Sequence, residues 1–169
     1  MDYKNFKRWY IIYKKILIGI DGSEHSYKAL MKAIDLQILT KSKVIIFHSV
    51  EHHAEPAGGM FMAPSFGVPQ VFNNSSLDIQ RIKEVYEQNA QAIIGRAKEI
   101  FMEQGIEADT RLVIEHEPVS YIKNMVEKEG VDLVILGSKG NHSLLEEILL
   151  GSVADKVLRH IPVDILIIR

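Results

Sequence analysis

The chain has 169 residues, about the size of one domain and enough to bury a sizeable core. Apolar residues make up 47% and charged residues 25%, an ordinary globular balance, and no run approaches the ~20 uninterrupted apolar residues of a membrane span. The net charge of −2 supplies no basic face for nucleic acid, and the lack of cysteine excludes disulfides, thiol catalysis and thiolate metal sites, as suits a soluble protein of the reducing cytoplasm.

Residues 1–14 read as an N-terminal extension that mixes Lys4, Lys7, Arg8 and Lys14 with Phe6, Trp9, Tyr10 and Tyr13. They lack the apolar core and small-residue cleavage site of a signal peptide. Such a segment suits packing on its own domain, a partner groove or a membrane surface. The remainder, 15–169, reads as a single domain without internal repeats. Lys15 to Ile20 is a short β-rich run that ends at Asp21-Gly22-Ser23, so a buried strand leads into a turn. Ser23 caps a helix whose Tyr27, Leu30, Met31, Ile34 and Ile38 recur at helical spacing. A second strand runs from Lys43 to Val50.

From Glu51 to Ser75 the pattern changes to Pro56, Gly58, Gly59, Pro64, Gly67, Pro69 and paired asparagines, with little periodicity. A loop of this length is functional or disordered, and its place straight after a strand suits a lid over a crevice. His48, His52 and His53 lack the further ligands that a zinc site requires, so no metal is assigned to them. Ser76 or Asp78 opens a long helix to about Gln104, with a stripe that includes Leu77, Ile79, Ile82, Val85, Tyr86, Ile93, Ile94, Ala97, Ile100 and Phe101. Gly105 closes it. Asp109 to Glu115 is a third strand, and Pro118 starts a helix through Val119, Ile122 and Val126 that stops at Gly130. Glu115, His116 and Glu117 lie between those two elements and read as a solvated loop, so no catalytic residue is chosen.

The stretch from Val131 to Val153 carries the chemistry. Leu133 to Leu136 form an apolar run typical of a strand buried on both faces, and the run stops at Gly137. Gly137 and Gly140 bracket a loop free to adopt positive φ and to let a ligand approach main-chain N–H groups. Gly151-Ser152 then opens a helix through Val153, Val157 and Leu158 to His160, placing unsatisfied N–H donors at a helix N-terminus. Pro162 ends the helix, and Val163 to Ile168 is a fifth strand. Five strands alternating with four helices give an α/β domain around an open, doubly wound parallel sheet with helices on both faces. Ligands of such sheets bind beyond the carboxyl ends of the strands, where Asp21, Val50 and Gly137 all lie.

The G-x2-G-x10-G-S spacing and the Asp21-Gly22-Ser23-x-x-Ser26 opening both resemble the nucleotide-binding signature of the universal stress proteins. The segment from Asn141 to Leu150 is one residue longer than the family pattern, and Asn141-His142-Ser143 is where the extra residue fits. The resemblance implies a Rossmann-like sheet of the adenine nucleotide alpha hydrolase type, with strand order 3-2-1-4-5. It also implies a cytoplasmic homodimer paired through Val163 to Ile168, in which Asp164 is a departure from the mostly apolar family strand.

What the resemblance implies for the site is ATP, with adenine near Asp21 and Val50, ribose near Gly137 and Gly140, and phosphates on the Gly151, Ser152 and Val153 amides. The candidate binding residues are Ile20, Asp21, Gly22, Ser23, Val50, Leu136, Gly137, Ser138, Gly140, Gly151, Ser152 and Val153. Lys139 is placed to pair with a phosphate, or equally to be a solvated lysine. No carboxylate cage is evident, so Mg²⁺ or Mn²⁺ would be held through the phosphates. The function so implied is that of an ATP-binding stress-response module. Two alternatives stay open. One is a slow ATP hydrolase or nucleotidyl-transfer enzyme on the same fold, though the chain lacks the Gly-Lys-Ser/Thr phosphate loop. The other is a dimeric interaction module without nucleotide, as some family members are.

Overall fold

The computed structural model describes residues 13–50, 76–140 and 150–169. Lys15–Gly19 (β1), Lys43–Val50 (β2), Asp109–Ile114 (β3), Leu133–Gly137 (β4) and Asp164–Ile168 (β5) form one parallel sheet in the order β3-β2-β1-β4-β5. The order follows burial. The three inner strands carry the continuous buried apolar runs, Ile16-Leu17-Ile18, Val44 to Phe47 and Leu133 to Leu136, whereas the edge strands β3 and β5 are mostly half-buried. Glu24–Thr40 (α1) and Ser76–Glu103 (α2) cover one face, with Leu30, Ile34, Ile94 and Phe101 packed among Ile16, Ile18, Ile46 and Ile135. Pro118–Glu129 (α3) and Ser152–His160 (α4) cover the other, where Ile122, Met125 and Val157 meet Leu17, Phe47, Val134 and Leu136.

Several boundaries and stripes differ from the sequence expectation, each for a local reason. β1 ends at Gly19, because Ile20 keeps one backbone bond, from its amide to the Phe47 carbonyl at 3.0 Å, and the chain then turns away. β3 ends at Ile114, because Glu115 has φ 60° and leaves the extended region. In α1 the buried positions are Ser26, Ala29, Leu30, Ala33 and Ile34, whereas Met31 and Ile38 are about half exposed (50% and 48%). Small residues let that helix lie close to the sheet, so the large apolar side chains beside them turn outward. Val85 is also exposed, since a helix of 28 residues is about 42 Å long and outruns strands of five to eight residues. The side chains of Leu77, Ile79 and Ile82 lie outside the described residues. Leu158 is exposed because Val157, one position earlier, occupies the buried side of α4.

Tyr13 and Lys14, just ahead of β1, are tied into this fold. The Tyr13 hydroxyl donates to Asp164 Oδ2 at 3.0 Å, its carbonyl accepts from Ser42 Oγ at 2.6 Å, and the Lys14 amide donates to Asp132 Oδ2 at 2.8 Å. Asp164, the polar departure in β5, is therefore the acceptor for Tyr13 at the exposed start of that strand.

Candidate functional site

Register decides which chain reversals meet. Gly19 lies opposite Phe47 on one side and Leu136 on the other, so the reversals after β1 and β4 emerge side by side at the carboxyl edge of the sheet. In the first reversal Gly22 has φ 78°, a left-handed conformation that glycine adopts at little cost. The Ser23 amide donates to Asp21 Oδ1 at 3.0 Å, closing a turn of the kind aspartate forms with its own following backbone. Ser23 Oγ accepts from the Ser26 amide at 3.2 Å as the cap of α1 and donates to the Lys139 carbonyl at 3.2 Å. One buried hydroxyl thus joins the two reversals.

The glycines of the second reversal serve close approach. Among the described glycines positive φ falls on Gly22, Gly105 and Gly130, so the left-handed freedom expected at Gly137 and Gly140 is not used. A Cβ on Gly137 would lie 2.8 Å from backbone atoms of His25 and Ser26, because the first turn of α1 rests on it. A Cβ on Gly140 would lie 2.7 Å from Asp21 Oδ2, in the space the carboxylate now occupies. Gly151, the N-cap of α4, has φ −69° and donates its amide to the Ser138 carbonyl at 2.7 Å. The amide expected to meet a phosphate is thus bonded within the chain. The first-turn amides of Ser152 and Val153 have no acceptor within the helix, as at every helix start. Ser138 is fully buried and donates its own amide to the Ile168 carbonyl at 2.7 Å, tying the reversal to the last strand.

The candidate residues therefore fall into two groups. Asp21, Gly22, Ser23, Gly137, Ser138, Gly140 and Gly151 are linked by these bonds and approaches. Ile20, Leu136 and Val50 are buried strand ends behind them, and Ser152 and Val153 open α4. The segments 51–75 and 141–149 lie outside the described residues, and with them the expected lid, His52 and His53, and the added residue among Asn141-His142-Ser143.

The family model described as the universal stress protein family matches residues 12–169. The chain belongs to that family. It is 32% identical over 158 residues to Universal stress protein YxiE of Bacillus subtilis, which covers 94% of this chain and 100% of that one. Its fold is similar to that of universal stress protein UspA from Lactobacillus plantarum, with a TM-score of 0.72 at 17% identity, covering 93% and 98% of the two chains. A universal stress protein from Archaeoglobus fulgidus, solved in complex with dAMP, has a TM-score of 0.57 to this chain at 21% identity, with coverage of 94% and 99%.

In this universal stress protein Glu117 and His116, beyond the end of β3, have partners within the chain. The side chain of Glu117 accepts from Lys156 Nζ at 3.0 Å and from Ser120 Oγ at 2.9 Å, and these partners hold its carboxyl below the usual carboxylate range. His116 Nδ1 meets the Ile114 carbonyl at 3.1 Å. Among the described residues no three His, Asp or Glu side chains are grouped to hold a metal ion, and no helix is long and apolar enough to cross a membrane. One residue gains a place that sequence reasoning had not offered it. His48 Nδ1 lies 2.6 Å from the Ile20 carbonyl, and burial pushes its pKa down. A histidine near the end of a buried apolar strand was the available signal, because a polar ring there requires a partner.

Proposed function

We propose that this universal stress protein binds ATP at the carboxyl edge of its sheet and works as a nucleotide-responsive, cytoplasmic stress-response module. The observation that carries the reading is the convergence of Asp21, Gly140 and the α4 N-terminus. The Asp21 carboxylate lies where a side chain on residue 140 would be, and Gly151 is bonded to Ser138 in the same reversal. A glycine whose missing side chain leaves room for a carboxylate, next to a helix start, combines a hydrogen-bond acceptor with anion-binding amides. That donor and acceptor set suits a nucleoside phosphate. Asp21 would take the adenosine part, the backbone at Gly137 and Gly140 the ribose, and the Ser152 and Val153 amides with the Ser152 hydroxyl the phosphates. Mg²⁺ or Mn²⁺ would be bound mainly through phosphate oxygens and water. The dAMP complex of the Archaeoglobus relative supports an adenine nucleotide as the ligand class.

The same reading includes a homodimer paired through β5, whose outer edge has no neighbouring strand among the described residues. Calorimetric titration of ATP with Mg²⁺, beside a Gly151→Val variant that sets a branched side chain against the Ser138 and Gly140 backbone, tests the site. Saturable binding that the variant loses is the expected result. No heat of binding at millimolar ATP with folded wild-type protein would refute the reading.

A further inference from the structure

We propose that His48 is a positioning residue of this site, clamping the Ile20 carbonyl so that the Asp21 carboxylate is held in place for the nucleotide. The inference rests on the nucleotide-site reading above. Regular pairing of β1 stops at Gly19, and Ile20 is the last residue before the reversal. β2 holds the Ile20 residue at both ends. Its amide donates to the Phe47 carbonyl at 3.0 Å, and its carbonyl receives His48 Nδ1 at 2.6 Å. The side chain of β2 thus continues the grip of the ladder where the chain leaves the sheet.

Two chemical consequences follow. A carbonyl can only accept, so Nδ1 carries the proton and, in the neutral ring, Nε2 is left as a bare acceptor. The turn beyond this anchor contains Gly22 at φ 78°, the least restrained residue type, so Asp21 is oriented from its two flanks. Those flanks are the His48 bond to Ile20 and the Ser23 amide on Asp21 Oδ1. Asp21 Oδ2 then faces Gly140. His48 is partly buried near the end of β2, and withdrawing a ring nitrogen from water is offset only where it finds a partner, which the Ile20 carbonyl supplies.

The test compares wild type, His48→Leu and His48→Asn by calorimetric titration with MgATP, alongside thermal melts and a long-range ¹H–¹⁵N spectrum of the histidine ring. The asparagine amide reaches the position of Nδ1, so it restores the donor without the ring. His48→Leu is expected to weaken ATP binding about tenfold, the scale of one lost hydrogen bond, and His48→Asn to return it to within about twofold of wild type. The spectrum is expected to show Nδ1 protonated and Nε2 bare. Wild-type affinity in the leucine variant, or an Nε2–H tautomer in the wild type, overturns the clamp. Should the leucine variant fail to fold, the spectrum and the asparagine variant decide, and an asparagine variant that folds but binds as poorly as a protein without the donor also overturns it. Absence of ATP binding by the wild type refutes the nucleotide reading and the purpose assigned to the clamp, while the spectrum still decides whether the clamp exists.

Discussion

A methyl group added at Gly137 would fall 2.8 Å from main-chain atoms of α1, whereas one added at Gly140 would fall 2.7 Å from the end of the Asp21 side chain. Main chain packed on a sheet cannot retreat cheaply, but a carboxylate can rotate. Gly137→Ala is therefore expected to destabilise the fold by about 1–3 kcal/mol in urea melts, the range of overpacking in a filled core. Gly140→Ala should leave the melt nearly unchanged and weaken ATP binding about tenfold by displacing a single hydrogen-bonding group. A Gly140 variant that binds ATP like wild type would remove Asp21 from the site. The sequence made both glycines legible as a loop but could not separate them, because the distinguishing contacts come from Asp21 and His25, over a hundred residues away. His48 supplies a pH signature at the same scale. Burial holds its folded-state pKa below the ordinary 6.5, with the bond to the Ile20 carbonyl and then the nearby Asp21 charge acting in the opposite sense. The unfolded chain thus takes up the proton first as pH falls. The stability this group contributes is fully present above pH 6.5 and is lost as pH drops through its lower folded value. Melting temperatures taken downward from neutral pH should fall in wild type before they fall in His48→Asn, and parallel curves would count against burial of the neutral ring.

At the scale of elements, apolar spacing located all four described helices and five strands and found much of what they bury, including Leu30, Ile34, Ile94, Phe101, Ile122 and Val157, but it also turned Met31, Ile38, Val85 and Leu158 inward. Spacing registers large apolar residues and overlooks alanine and serine, yet Ser26, Ala29 and Ala33 form the inner surface of α1 together with Leu30 and Ile34. Met31→Lys and Ile38→Lys are accordingly expected to change stability by no more than about 0.5 kcal/mol, as at ordinary surface positions. Ile34→Ala should cost about 2–5 kcal/mol through the lost contacts and the cavity left behind. Urea denaturation of the three variants checks this, and a large loss from Met31→Lys would mean that its face is covered in solution. Strand ends were the least legible feature, because Ile20 and Glu115 are set by a side-chain bond and by a left-handed backbone that apolar patterning does not encode.

At the scale of the molecule, the alternation of strand and helix pointed to a parallel sheet, while the strand order 3-2-1-4-5 came from the family resemblance. The buried runs of β1, β2 and β4 are of similar length and do not say which strand lies in the middle. That order makes β5 an edge, and its backbone has two sides. The Ile168 carbonyl accepts from the Ser138 amide and so faces the β4 side, and alternation along a strand turns the N–H and C=O of Ile167 outward. A proline at position 167 removes an outward donor without removing a bond to β4, the circumstance in which edge strands tolerate proline. If two copies of the chain pair along β5, Ile167→Pro breaks the continuous ladder between them while each subunit keeps its sheet. Sedimentation velocity is expected to show a dimer for wild type and a folded monomer for Ile167→Pro. A wild type that sediments as a monomer, or a variant that remains dimeric, would place the contact between subunits elsewhere or nowhere. The outcome also bears on the nucleotide site, because the Ser138–Ile168 bond joins the glycine reversal to the end of this edge strand. Loss of ATP affinity in the monomeric variant would then indicate that pairing of β5 steadies the reversal holding Gly140.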